Sequence, residues 1–387
     1  MVNGKKIFVA IEMVGTLNAL NGALGVLEKE GVAVVYAAEG EARKKLVNQG
    51  ISCFGVEEDA EEILKREKPD LVIVGITSGM KQPGGSGLEK NYALRALDRG
   101  IPVVAYRDYV GVHTWFDEVA KHPRSTESLH FFLFGESDVQ LIRRLGLPSR
   151  EAIAVGSGYY DDDTTRSWGE VRRSAREAMG FQEKDFVIIS SPGAERERVF
   201  EMLRGVVEGI HQIEQRVIFI STHHPKDPDA PFETPTSGKL SVKKSSVYDV
   251  VVDRLKSTPH RIVCEPEFRN AVPDPKHRIA TADVLVMNPL STELYTAVYA
   301  GVPVVASALP LTIQAAEASR VVIKDLEVIK AGAVDVVFTE NMLTSYIANL
   351  PGKYEEIRNR LRKAGERFRS TEKMSEKIAF HLFRVMK

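Results

Sequence analysis

The sequence predicts an α/β protein made of two doubly wound, Rossmann-like domains that face a central cleft. Three observations carry this. Short apolar runs alternate with segments of helical period, several of those segments stop at glycine, and the alternation restarts after a polar interruption near residue 160. The chain of 387 residues is too long for one ordinary core, and about 100–200 residues per domain gives two.

In the first half the strand-like runs are Ile7–Ile11, Val32–Tyr36, Ile51–Phe54, Leu71–Val74, Val103–Tyr106, Phe131–Phe134 and Ile153–Val155. Residues 16–30, 41–49, 59–67 and 88–99 read as helices, and EKEG, NQG and DRG close three of them. Such alternation gives right-handed crossovers and a parallel sheet, here a domain over 1–160. After Gly158 the chain turns polar in YYDDDTTRSWGE, which sets a boundary near 158–170. A second series follows at Phe186–Ile189, Val217–Ile220, Arg261–Cys264, Val284–Met287, Val304–Ala306 and Val336–Phe338, with helices at 170–179, 195–213 and 291–300. These make a domain over 170–350, without internal repetition at the level of sequence. Residues 351–387 are charged with scattered apolar positions and read as C-terminal helices that pack back on the first domain with a solvated face. Residues 223–248, rich in Pro and Ser, read as a long loop over a site.

The formal charge is −1 with 27% charged residues, which argues against broad nucleic-acid binding. A Lys/Arg-rich face in 351–387 is the feature that leaves peripheral membrane contact open. Cys53 and Cys264 lie in or beside apolar runs and read as buried free thiols. The stretch MVNGKKIFVAIEMVG is too short in its apolar part for a signal peptide, and no run approaches the roughly 18 apolar residues of a spanning helix. A cytoplasmic, soluble protein is expected.

The chemistry-bearing patterns are polar turns at strand ends. There is no CxxC, HExxH or aspartate-rich calcium loop, so no metal is expected, and DDD at 161–163 reads as a solvated turn. No Walker-type or G-x-G-x-x-G loop follows a strand, so no dinucleotide cofactor is expected either; GSGYYD at 156–161 lacks the third glycine. In the second half Phe186–Ile189 leads into SSPGAERE with Ser191 and Gly193, Val217–Ile220 into STHHPKD with His223 and His224, and Val284–Met287 into NPLSTE with Asn288, Ser291, Thr292 and Glu293. Turns at the carboxyl ends of parallel strands, opening helices, can hold a nucleotide diphosphate through helix dipoles, hydroxyls and an imidazole. The same residues also have ordinary uses: Ser291 or Thr292 as a helix cap, Gly193 as a turn, either histidine as a structural residue. In the first half Glu12, Asp108 and His113 follow strands and are placed to act as a base on an acceptor hydroxyl. A carboxylate there is equally suited to capping a helix, and His113 to packing beside Trp115.

An S-T-E opening a helix after the fourth strand of the second domain, H-P after its second strand, and A-x-x-A-G-V-P-V-V returning into the next strand resemble the B-type-fold glycosyltransferases and the related non-hydrolysing UDP-N-acetylglucosamine 2-epimerases. The passage Ala154 to Asp161 resembles the inter-domain V-x-G-x-P-x-x-D of that superfamily, with the glycine and aspartate matched and the proline not. The resemblance implies a nucleotide-sugar donor, UDP-sugar first, and a glycan or small-molecule acceptor with no required cofactor. It implies His224 near the donor phosphates, Ser291 and Thr292 at the diphosphate, and Glu293 near the donor sugar or ribose. Asn288-Pro289-Leu290-Ser291 stands where the epimerases have an Asp-Ser-Gly-Gly-type turn, which weighs more against the epimerase reading than the transferase one. Three functions stay open: a sugar transferase, a sugar-nucleotide epimerase or hydrolase, and a non-catalytic nucleotide- or glycan-binding protein.

Overall fold

The computed structural model describes residues 4–76, 87–108, 116–191, 196–222, 232–233, 241–242, 253–263, 265–318, 320–368 and 373–387. The chain forms two compact units. The first comprises Met1–Asp162, Ser319–Val321 and Ser370–Lys387, the second Asp163–Ala318 and Val322–Arg369.

The first unit holds seven parallel strands: β1 (Lys6–Ile11), β2 (Ala33–Ala38), β3 (Cys53–Phe54), β4 (Leu71–Gly75), β5 (Val103–Tyr106), β6 (Leu129–Leu133) and β7 (Glu151–Ala154). Their order is β3-β2-β1-β4-β5-β6-β7. Strand side chains alternate between the sheet's faces, and both faces are covered. Ile7, Val9 and Ile11 pack in one layer with Leu20 and Leu24 of helix Val14–Lys29 and with Ile378 and Leu382 of helix Met374–Val385. Phe8 and Ala10 pack in the other, with Ile63, Leu64, Tyr92 and Leu97. Burying each such side chain stabilises by about 1.5–3 kcal/mol, so the runs read as strands are strands because both faces bury them.

The second unit holds a six-stranded parallel sheet of β8 (Phe186–Ser191), β9 (Val217–Ser221), β12 (Arg261–Val263), β13 (Val284–Met287), β14 (Val304–Ser307) and β15 (Asp335–Val337), in the order β12-β9-β8-β13-β14-β15. Between β9 and β12 a separate antiparallel pair, β10 (Phe232–Glu233) and β11 (Ser241–Val242), interrupts the stretch expected to be loop throughout. Helices Arg196–His211 and Glu340–Gly365 pack on one face, and Gly209 sets their spacing: a Cβ there would lie 2.6 Å from Ile347 Cβ and 2.8 Å from the Thr344 carbonyl oxygen.

The boundaries differ from 1–160, 170–350 and 351–387 for two reasons. DDD is not a solvated turn. Asp163 is buried, accepting from Lys276 Nζ at 2.9 Å and Thr296 Oγ1 at 3.1 Å, which ties residues 163–169 to the second unit. Asp161 accepts the Met374 N–H at 2.6 Å and the Ser375 N–H at 3.2 Å, capping the helix that returns to the first unit. The second reason is that helix Glu340–Gly365 runs through Pro351, because Leu343, Ile347, Leu350, Ile357 and Leu361 form one buried stripe across it. That burial outweighs the roughly 3 kcal/mol a helical proline costs. Only residues 370–387 of the C-terminal segment therefore belong to the first unit. Cys53 is half-buried, not buried, and burial raises its thiol pKa; Cys264 lies outside the described residues. Among the described residues no helix is long and apolar enough to cross a membrane.

Candidate functional site

In an open parallel sheet the ligand crevice lies where strand order reverses, at the carboxyl ends of the two strands that diverge. In the second unit those strands are β8 and β13, paired in parallel with Met287 opposite Ser191. Asn288 is the first residue past β13. Its N–H donates to the Ser191 carbonyl at 3.2 Å, and its Oδ1 accepts from Leu290 N–H at 2.9 Å, a side-chain turn that aims the chain into the next helix. The Ser291 N–H closes the turn on the Asn288 carbonyl at 3.0 Å.

The helix runs Glu293–Ala300, with Thr292 at its N-cap position and Gly301 at φ 69° closing it. Thr292 makes no side-chain cap bond; Ser291 Oγ accepts from Glu293 N–H at 3.3 Å instead. Ser191 Oγ donates to Glu293 Oε2 at 3.1 Å, so both sides of the crevice meet in one hydrogen bond. Glu293 reaches the surface in part, yet the protein crowded around its carboxyl raises its pKa, against the Ser191 hydrogen bond and the charges of Arg278 and Arg269. The structure thus gathers Ser191, Asn288, Ser291, Thr292 and Glu293 at one edge. Gly193, His223 and His224 lie outside the described residues.

Arg269 and Arg278 were not candidates from sequence. Their helices, Glu265–Ala271 and Pro275–Thr281, fill the connection between β12 and β13, and Arg278 donates to the Val272 and Pro273 carbonyls at 3.1 and 2.9 Å. Arg269 is ion-paired with the buried Glu265, so of the two it is Arg278, held by backbone carbonyls, whose charge is left to favour an anion at a helix N-terminus. The arginine signal was present in sequence, but nothing there placed it beside Glu293.

In the first unit the reversal falls between β1 and β4. Glu12, one residue past β1, accepts the Leu88 N–H at 2.9 Å and so caps helix Leu88–Asp98, while its own N–H donates to the buried Glu89 at 3.0 Å. Asp108 follows β5 and accepts from Thr16 Oγ1 at 3.3 Å. Gly15 allows this approach, since a Cβ there would stand 2.9 Å from Asp108 Oδ2. Burial raises the Asp108 pKa despite Arg107 and the Thr16 hydrogen bond. His113 lies outside the described residues. Among the described residues no group of three or more His, Cys, Asp or Glu is placed to hold a metal ion.

Two parallel-sheet α/β domains, each with its own strand reversal, give this chain the B-type glycosyltransferase fold of the solved structures it matches. The chain is similar in structure to MurG of Acinetobacter baumannii, with a TM-score of 0.62 at 13% identity over 98% of this chain and 99% of that one. It is also similar to UDP-GlcNAc 2-epimerase of Neisseria meningitidis bound to UDP-GlcNAc, at TM-score 0.60 and 14% identity over 98% and 100% of the two chains. A third similar structure is Anabaena Alr3699/HepE in complex with UDP, at TM-score 0.62 and 11% identity over 98% and 100%. No protein-family model and no curated protein matches the sequence.

Proposed function

We propose that the protein is a glycosyltransferase-like enzyme that moves a sugar from a UDP-sugar to a glycan or small-molecule acceptor without a metal. The observation that carries this reading is the Ser191–Glu293 hydrogen bond between the carboxyl ends of β8 and β13, at the mouth of a helix N-terminus and within the field of Arg278. The diphosphate docks on the turn at Ser291 and Thr292, where the two hydroxyls and the helix dipole offset its charge. Glu293 accepts from a ribose or sugar hydroxyl, and His224, which lies outside the described residues, is the candidate that the H-P motif supplies for the phosphates. Asp108 serves as the base better than Glu12: burial raises its pKa and so makes it the more basic carboxylate, whereas the Glu12 carboxylate already caps a helix. His113 is the further candidate for that step. As the acceptor oxygen attacks the anomeric carbon, the sugar–phosphate bond breaks, and the helix N-terminus stabilises the departing UDP.

A second reading, sugar-nucleotide epimerase or hydrolase, is favoured by the structural likeness to UDP-GlcNAc 2-epimerases. Turnover of UDP-sugar with no acceptor present separates it from transfer. Binding without turnover identifies a non-catalytic nucleotide-binding protein. The deciding experiment is a thermal-shift series with UDP, GDP, ADP, TDP and CMP and their sugars, with and without EDTA. Ligand at one hundred times its Kd stabilises by about 2.7 kcal/mol. Stabilisation specific to UDP compounds, unchanged by EDTA and lost in Ser291→Ala with Glu293→Ala, supports the proposal. A double variant that binds UDP as the parent does removes this turn from the site.

A further inference from the structure

At the opposite, amino edge of the second sheet, beside the residues that lead into β13 and β14, lies a cavity of about 340 Å³. Arg166, Arg172, Arg358, Arg362, Trp168 and Tyr354 line it, and Asp163 is the one acidic residue in its wall. Asp163 is committed to Lys276 and Thr296. Arg172 is likewise engaged, on Asp283 at 2.6 Å and on the carbonyls of Ala280 and Ala282.

The other three arginines are not matched by acids in this way. Arg166 donates to His277 Nε2 at 2.8 Å, stands 3.7 Å from Asp274, and lies over the Trp168 ring at 5.4 Å. Arg358 and Arg362 follow each other by one turn on helix Glu340–Gly365 and have side chains 47% and 55% exposed. Their acidic neighbours are loose, Glu355 at 3.6 Å and Glu366 at 3.8 Å. Helix Trp168–Ala178 also begins in this wall, and Ser167, at its N-cap position, makes no side-chain cap bond. The Trp168 and Glu170 N–H groups are satisfied locally, by the Arg166 carbonyl at 3.0 Å and the Ser167 carbonyl at 3.1 Å, so it is the arginine side chains that face the cavity with donors.

We infer that this cavity is a second anion site, taking a compact phosphate-bearing polyanion at the edge opposite the proposed nucleotide turn. Three guanidinium groups from two elements supply donors to the cavity, which suits the tetrahedral oxygens of a diphosphate better than one flat carboxylate. Two aromatic rings already carry cations on their faces, and this holds the arginines near the opening.

Trp168 reports the test, being one of two tryptophans in the chain. In a Trp115→Phe protein it is the sole tryptophan, and inorganic pyrophosphate is titrated against sodium chloride of equal ionic strength and against citrate. The expected result is a saturable change in Trp168 fluorescence, at least tenfold weaker in affinity when Arg358→Gln and Arg362→Gln are added. The UDP-induced thermal shift should stay as in the parent. Absence of a saturable response, equal affinity in the arginine variant, the same response to sodium chloride, or citrate binding as tightly as pyrophosphate would each overturn the assignment. Calorimetric titration of the unmodified protein and of Arg358→Gln/Arg362→Gln with pyrophosphate gives the same decision should Trp115→Phe fail to fold.

Discussion

Ser191 Oγ donates to Glu293 Oε2 at 3.1 Å, joining the end of β8 to the first turn of the helix that follows β13. A partly desolvated carboxyl with a raised pKa is an odd choice for stability alone. Protonation is easier in the folded state, so Glu293 contributes stability below the ordinary glutamate pKa of about 4.3, and that contribution is lost as pH rises through the folded value. Glu293→Gln removes the penalty. Its melting temperature relative to the parent should climb as pH rises from about 4 to about 8, as scanning calorimetry would read.

The same substitution should weaken UDP binding by roughly tenfold to a hundredfold, the scale of about 1.5–3 kcal/mol for a hydrogen bond to a charged group. Calorimetric titration with UDP measures it. A variant that is more stable and binds as well as the parent would show that the carboxylate serves no ligand.

Asp161 accepts from both backbone N–H groups at the start of helix Met374–Val385 and from the Ser375 hydroxyl. Asp161→Ala leaves those donors unmatched in a part-buried place and should destabilise the first unit by about 2 kcal/mol. Asp161→Asn should lose less, because its amide oxygen still accepts. Hydrogen exchange over 374–385 locates the effect, and unchanged protection there would separate the cap from the helix's docking.

Much of this architecture was legible because burial on both faces of a parallel strand leaves a continuous apolar run, as in Val284–Met287 and Val103–Tyr106, both found as expected. Gly301 marked the end of its helix because an αL position disfavours any side chain. What sequence could not give was pairing at a distance. Ser191 and Glu293 each stood out as strand-end residues, but their hydrogen bond spans 102 positions and depends on β8 lying beside β13. DDD at 161–163 misled for the same reason, since its partners Lys276, Thr296 and Ser375 are more than 100 residues away. The bound at 350/351 failed because one buried stripe carries helix Glu340–Gly365 across it.

Gly209 is helical, so alanine there should gain about 1 kcal/mol of propensity. The close approach of helix Glu340–Gly365 reverses that sign: the new methyl meets Ile347 Cβ at 2.6 Å and the Thr344 carbonyl at 2.8 Å. Overpacking of this kind costs about 1–3 kcal/mol, so Gly209→Ala should lower stability in urea denaturation. Gly169→Ala, with open space around it, is the control and should not.

The pair Asp163–Lys276 is an enclosed ion pair of the second unit, with the Asp163 side chain fully covered and Lys276 12% exposed. Burial raises the Asp163 pKa even against Lys276 and the Thr296 hydrogen bond, so desolvation costs more than the partners return. Removing the Asp163 carboxylate takes this acceptor from both Lys276 and Thr296. Asp163→Ala alone should destabilise the second unit by about 3–5 kcal/mol, whereas Asp163→Leu combined with Lys276→Met should cost markedly less than that single change. A double-mutant cycle in guanidinium chloride decides between a pair retained for its own energy and one retained because the fold is built around it: a double variant as unstable as Asp163→Ala would mean the pair itself is stabilising.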